Sequence, residues 1–176
     1  MASSATKTTE LNPAISHGSG PLGLPEFAAI ADHDFDAAFA AALPAHLAEI
    51  EAIAQNSEAP TFENTIVALE CAGELLDRAA SIFWNLSGAN TNETIQALER
   101  KLAPEMSRHS SAISMNPALF DRIDTLYQNR EDLGLDGEAA RVLELTWKSF
   151  VRSGAKLNGD DQTRFAAINE RLATLG

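Results

Sequence analysis

The chain has 176 residues, a mass of 18.8 kDa and a formal net charge of −12, which is the size of one domain. The negative charge argues against nucleic acids and anionic membranes as partners, because their phosphates would be repelled. No apolar run approaches the roughly 20 residues that cross a bilayer, and the start of the chain lacks the pattern of a signal peptide. The single cysteine, Cys71, excludes an internal disulfide, so we expect a cytoplasmic protein.

The composition favours helices over strands. The chain contains 31 Ala and 20 Leu, against 3 Val and 10 Ile. Ala and Leu are strong helix formers, whereas β-branched residues favour strands. The spacing of the apolar residues then predicts an all-α fold, with about six helices in an irregular antiparallel helical bundle.

Residues 1–25 are rich in Ser, Thr, Gly and Pro, which predicts a flexible or extended N-terminal arm. The apolar side chains of Leu22, Leu24 and Phe27 are candidates to tether this arm. Residues 26–176 form the predicted helical domain.

The first two helices are predicted from apolar residues that recur at helical spacing. The first begins near Asp32, and Pro44 inside it predicts a kink or break between Ala40 and Leu43. Thr61 is expected to cap the second helix, which runs to about Leu86. This second helix is apolar on two sides, and that pattern is typical of the central helix of a domain.

The later helices follow from their start and stop signals. A capping residue, a proline in the first turn or a preceding glycine marks each start: Asn92, Asn116-Pro117, Asp136 and Gly159. Pro104 predicts a second kink, and Gly154 ends the fifth helix. The apolar face of the last helix reaches Leu175.

The charge is unevenly distributed along the chain. Between Lys7 and Arg78 there are twelve acidic residues and no Lys or Arg. Residues 1–77 therefore carry −11 (twelve acids less Lys7), and residues 78–176 carry −1. This asymmetry indicates either a surface that faces a basic partner or a solvated acidic face that aids solubility.

No catalytic or metal-binding residue can be assigned from motifs. The four histidines lack the spacing of H-E-x-x-H and E-x-x-H metal sites: His17, His33, His46 and His109. His46 and Glu49 stand one helical turn apart but lack further ligands, so His46 is interpreted as a surface residue. We expect His109 to be a satisfied core residue and Cys71 to be a small core residue rather than a nucleophile.

A polar stretch follows two large aromatic residues, Phe83 and Trp84. Its candidate functional residues are Asn85, Ser87, Asn90, Thr91 and Asn92. Side chains of these types cap helices and close tight turns. The alternative interpretation is a polar ledge on the wall of a cleft, where these side chains would hydrogen-bond to a peptide backbone.

Several short segments of the sequence resemble those of a known family. They are Pro-Thr-Phe-Glu-Asn-Thr-Ile (60–66), Gly-Glu-Leu-Leu-Asp-Arg (73–78), Asn-Leu-Ser-Gly-Ala-Asn-Thr-Asn (85–92), Leu-Gly-Leu-Asp (133–136), Phe-Val-Arg-Ser-Gly-Ala-Lys-Leu (150–157) and Ala-Ile-Asn-Glu-Arg-Leu (167–172). In order and spacing they resemble the N-terminal helical region of bacterial peptidyl-dipeptidases. These enzymes belong to the thimet oligopeptidase family of zinc metallopeptidases, and the resemblance covers roughly residues 11–176.

The resemblance implies a neurolysin-like N-terminal helical domain whose chain continues past Gly176 in a longer parent. The family's zinc site, an H-E-x-x-H helix plus a downstream Glu, lies in the C-terminal half and is absent here. We therefore expect no cofactor and no catalytic activity in this chain, and zinc in the parent. The parent would release C-terminal dipeptides with a zinc-activated water, and this domain would form one wall of a channel that admits short peptides. The implied partners are the C-terminal catalytic half and those peptides.

Two alternatives remain open from the residues. One is a stand-alone acidic helical module that binds a basic partner, and it predicts a fully buried last helix. The other is a small enzyme with a dispersed site. The peptidase interpretation instead predicts an exposed apolar surface where the catalytic half docks.

Overall fold

The computed structural model describes residues 12–16 and 21–175, and these residues form helices, turns and connections without a strand. The helices are α1 Asp34–Ala54, α2 Ala68–Cys71, α3 Glu74–Ala89, α4 Glu93–Ser114, α5 Pro117–Gln128, α6 Gly137–Arg152 and α7 Gly159–Ala173. The helix α2 is a single turn of 4 residues, and the other six helices have 12 to 22 residues. The predicted all-α domain of about six helices is confirmed.

The predicted starts of the later helices are correct to within one residue. The side chains of Asn92, Asn116 and Asp136 each accept a hydrogen bond from the backbone N–H three residues ahead. The helix α7 starts at Gly159, with Asn158 as its cap. These signals are local, because a capping oxygen needs only its own first helical turn.

The helix α1 runs through Pro44 without interruption, so of the kink or break predicted between Ala40 and Leu43 the break is wrong. A proline removes one backbone hydrogen bond. Tertiary packing offsets that loss here, since α1 contacts α3, α4 and α5. The helix α4 likewise continues through Pro104.

The helix α1 is also long and apolar enough, by length and composition alone, to cross a membrane. This observation qualifies the expectation that no apolar run approaches that length. A third of the apolar segment is buried inside the domain. Among its buried residues, Phe35, Phe39 and Ile50 pack into the protein interior, as in a core helix of a helical domain.

The second predicted helix is divided into two. Thr61 caps it as predicted, in a reciprocal pair of hydrogen bonds with Asn64. A π-helical turn at Phe62–Val67 leads into α2, and the backbone then turns at Gly73, whose φ of 87° is left-handed. The helix α3 starts after this turn and continues to Ala89 rather than ending at Leu86. Cys71 is exposed at the end of the single-turn helix α2, which buries none of its residues, so its expected place in the core is wrong.

The apolar side chains form two cores that share α1 and are joined along it. The first core lies between the N-terminal half of α1, α3 and the start of α4, and in it Phe83 packs edge-on against Phe35 and Phe39. The second core surrounds the C-terminal half of α1. Its buried members come from α1, the π-helical turn, α5 and α6: Ile50, Ile53, Ala54, Ile66, Leu119, Phe120, Ile123, Leu126, Leu143 and Phe150.

The segment before α1 contacts the domain through residues 12–16. Ala14 is fully buried in the first core, and the side chain of Asn12 donates a hydrogen bond to the carbonyl of Asp34. The three side chains expected to form a tether are all exposed, at 97% for Leu22, 58% for Leu24 and 46% for Phe27, so that expectation is wrong. The rest of the predicted arm, residues 1–11 and 17–20, includes His17 and lies outside the described residues.

Candidate functional site

The predicted polar ledge lies at the connection between α3 and α4. Asn85 and Ser87 belong to the last turns of α3, Asn90 follows its end, and Asn92 precedes the first turn of α4. All of these side chains except that of Ser87 are exposed. The structure therefore brings the five candidate residues together at one end of the α3–α4 pair.

Two of the five residues have a structural role. The Ser87 hydroxyl donates to Glu99 Oε2 at 3.1 Å, which joins α3 to α4. The Asn92 side chain accepts the N–H of Ile95 at 2.9 Å and donates to Asp32 Oδ2 at 2.9 Å. Asn92 is therefore a helix cap, as side chains of this type often are, and Ser87 links the two helices.

The other three residues leave hydrogen-bonding groups available. Within the described part of the chain, the side chains of Asn85, Asn90 and Thr91 have no hydrogen-bond partner. Beside them lies Trp84, which is 39% exposed and contacts Phe83 edge-on. An aromatic surface next to free amide and hydroxyl groups is suited to contacts with a peptide, and that role stays a prediction.

A histidine pair that the sequence did not reveal links α1 and α4. His109 Nε2 lies 3.0 Å from His46 Nδ1, and the ring centres are 5.0 Å apart. Burial of His109, together with the electrostatic influence of His46, lowers the pKa of His109 below its ordinary value. The other ring nitrogen, Nδ1 of His109, is buried without a partner among the described residues. His109 is thus a core residue as expected, but it is not fully satisfied.

The same pair packs under the turn that divides α2 from α3. A Cβ at position 73 would lie 3.0 Å from three atoms of the His46 ring, so only glycine fits there without displacement. The N–H of Gly73 donates to Glu49 Oε2 at 2.7 Å. His46 is therefore a junction residue rather than a plain surface residue. It lies between Ala42 of the first core and Ile50 of the second.

The described residues do not provide a metal-binding cluster. No three His, Cys, Asp or Glu side chains in residues 12–16 and 21–175 lie close enough together to hold an ion. His46 and Glu49 contact different partners, the His109 ring and the Gly73 backbone. The donor set present therefore does not fit a catalytic zinc ion, which needs three protein ligands.

The helix α7 exposes an apolar face. Ile168 and Leu172 of α7, and Leu175 just beyond its end, recur at four and three residues and are 47%, 61% and 71% exposed. The opposite face of α7 packs on α4, where Arg108 pairs with Glu170. No described residue of α7 is fully buried, so the buried last helix predicted by the interaction-module alternative is not found.

The chain is similar to dipeptidyl carboxypeptidases from two bacteria. It is 40% identical to the Escherichia coli K12 protein over 167 residues, which is 95% of the chain. It is 37% identical to the Salmonella typhimurium LT2 protein over 164 residues, which is 93% of the chain. The chain spans 24% of the length of each of these relatives. No family model matches the sequence. These two similarities confirm the resemblance to bacterial peptidyl-dipeptidases that the short sequence segments indicate.

Proposed function

We propose that this chain is the N-terminal helical part of a longer, zinc-dependent peptidyl-dipeptidase. The observation that carries the proposal is the 40% identity to a dipeptidyl carboxypeptidase over 95% of the chain, which spans 24% of that relative. In this proposal the whole enzyme is cytoplasmic and releases dipeptides from the C-termini of short peptides.

The zinc ion and its ligands belong, in this proposal, to the remainder of the polypeptide. Zinc in such a site polarises the scissile carbonyl and activates a bound water. Residues 12–16 and 21–175 contain no cluster of three candidate ligands for it, so the part of this chain in the proposal is to bind and to confine the peptide. The chain alone is accordingly proposed to be inactive.

The structure supports a role as one wall of a peptide channel through two surfaces. The free groups of Asn85, Asn90 and Thr91, beside the exposed ring of Trp84, would hydrogen-bond to a peptide backbone. The face formed by Ile168 and Leu172 on α7 would dock the catalytic half, because removing exposed apolar surface from water stabilises a complex.

The proposal is tested by reading the source gene beyond the codon for Gly176 and producing the polypeptide that it encodes. An N-terminally blocked short peptide is then incubated with this polypeptide, and separately with the 176-residue chain, and the products are identified by mass spectrometry. We expect stepwise loss of C-terminal dipeptides with the longer polypeptide only, and abolition of that loss by a zinc chelator.

Either of two results would overturn the proposal. One is a stop codon directly after Gly176, which would favour a stand-alone interaction module. The other is zinc-dependent release of dipeptides by the 176-residue chain alone.

A further inference from the structure

We propose that a groove between the π-helical turn Phe62–Val67 and the start of α6 docks a basic segment of a partner protein. The segment would insert one large apolar side chain and place Lys or Arg residues on either side of it. This inference does not depend on the proposed function, because it rests on the groove alone.

The groove has an apolar floor and an acidic rim. Its volume is about 300 Å³ and it is open to solvent. The floor is formed by Phe62, Ile66, Val67, Ala139 and Val142. The rim carries three carboxylates: Glu70, Asp136 and Glu138. Val67 lines the groove and is 43% exposed, so it offers apolar surface that an inserted side chain would bury.

The walls of the groove are held in place before any segment binds. Arg122, a buried residue of α5, donates hydrogen bonds to the carbonyls of Asn56 and Glu58 and to Asn64 Oδ1, at 2.7 to 3.0 Å. These bonds fix the connection that leads into the π-helical turn, and Thr65 of that turn is fully buried. A rigid surface loses little conformational entropy on association, so the groove is suited to binding a short segment.

The charge of the rim indicates the chemistry of the occupant. No Lys or Arg lines the groove. Among the residues that the structure describes, none of the three rim carboxylates has an ion-pair partner. One oxygen of Asp136 accepts the N–H of Ala139, which leaves its other oxygen available. Cationic side chains flanking an inserted apolar residue would therefore meet unpaired carboxylates on each side.

Other occupants fit this surface less well. A second copy of the chain would bring two molecules of net charge −12 together, with acidic rims in contact. A nucleic acid or an anionic lipid would be repelled for the same reason. A purely apolar segment would cover the floor while leaving the carboxylates partly desolvated without partners.

The test uses a synthetic octapeptide with a central Leu flanked by lysines, titrated into the ¹⁵N-labelled chain and followed by NMR. We expect saturable shifts confined to the backbone amides of residues 62–70 and 136–142. The dissociation constant should be on the order of 10–100 µM, in the range of a weak transient contact, and should rise with added salt.

Matched peptides and variants separate insertion from diffuse charge attraction. Replacing the central Leu by Ala, or the lysines by Glu, should weaken binding at least about tenfold, which is a loss of about 1.4 kcal/mol. Val67→Asp should have a similar effect, and the double variant Glu70→Lys with Glu138→Lys should also reduce the salt dependence. Leu172→Asp, which alters an exposed leucine outside the groove, should bind the octapeptide as the parent chain does.

Three results would overturn the inference. The Ala peptide could bind as tightly as the Leu peptide, Val67→Asp could leave binding unchanged, or the shifts could map outside the groove. Sedimentation that shows a dimer disrupted by Val67→Asp would also overturn it and assign the groove to a second copy. None of these results alters the dipeptide-release assay, so failure here is distinguishable from failure of the proposed function.

Discussion

Individual buried or half-buried polar residues join separate helices in this domain. Arg122 fastens α5 to the connection after α1, and His109 contacts His46 across α4 and α1. Asp124 of α5 accepts the indole N–H of Trp147 of α6 at 2.6 Å and lies 3.6 Å from Lys156 Nζ. Burial raises the pKa of Asp124, but the hydrogen bonds from Trp147 and Gln128 and the charge of Lys156 outweigh burial and hold the pKa below its ordinary value. Such contacts offset the desolvation that burial of polar groups costs.

The lowered pKa of His109 predicts that the domain loses stability in mild acid. In the unfolded chain this imidazole titrates near its ordinary pKa of 6.5, and in the folded chain it titrates lower. Between those two values the unfolded chain binds more protons, so the free energy of unfolding falls as the pH falls below about 6.5. Urea unfolding at a series of pH values between about 5 and about 8 measures this slope.

The matched variants for this prediction are His109→Gln and His33→Gln. His109→Gln removes the titrating group and should flatten the dependence between about pH 5 and about pH 7, whatever its effect on total stability. The His33 side chain is 85% exposed and lies outside the α1–α4 histidine pair, so His33→Gln is the control for loss of an imidazole elsewhere in the chain. A slope in His109→Gln equal to that of the parent would show that another group is responsible.

At the scale of helices, the sequence was sufficient wherever a local signal decides the structure. Thr61, Asn116 and Asp136 were recognised as caps because each satisfies backbone N–H groups of its own first turn. The division at Gly73 does not show in the apolar period, because that period continues through a π-helical turn and a left-handed residue. The histidine pair is not predictable from the sequence, because 63 residues separate its members and only the packing of α1 on α4 brings them together.

The sequence alone predicts the polar α3–α4 connection as a candidate site. It does not show which side chains there have structural partners and which are free. Ser87 and Asn92 make contacts to Glu99 and Asp32, and a single sequence does not show such partners. The groove was also invisible, because the exposure of Val67 depends on how α6 packs beside the π-helical turn.

Gly73→Ala should destabilise the junction between α2 and α3. A left-handed conformation costs an L-residue about 1–2 kcal/mol, and the added Cβ would also meet the His46 ring at 3.0 Å. We therefore expect the free energy of unfolding to fall by at least about 1 kcal/mol, measured by urea denaturation.

Gly88→Ala is the matched control for that substitution. Gly88 lies inside α3, and a Cβ there would meet nothing within 4 Å. Since alanine favours a helix more than glycine does, this variant should gain about 0.5–1 kcal/mol. Equal losses in both variants would contradict the assigned role of the left-handed turn.

At the scale of the whole molecule, two cores lie along α1, and two unlike surfaces lie on other elements. The groove at the π-helical turn belongs to the second core and is bordered by acids, whereas α7 lies outside both cores and presents aliphatic side chains. An acidic rim favours a weak, salt-sensitive contact, while an aliphatic helix face favours a lasting one. The two surfaces should therefore bind different partners and respond to different substitutions.

The α7 surface is tested with the polypeptide encoded beyond Gly176, produced separately and mixed with the 176-residue chain. We expect the two to form a one-to-one complex in native mass spectrometry. Ile168 and Leu172 are about half exposed, so covering the rest of each side chain contributes about 1 kcal/mol or slightly more. Leu172→Asp should weaken this complex at least about tenfold. Val67→Asp, which disrupts the groove, should leave it unchanged. Retention of the complex in Leu172→Asp together with its loss in Val67→Asp would reverse the assignment and make the groove the docking surface of the longer polypeptide.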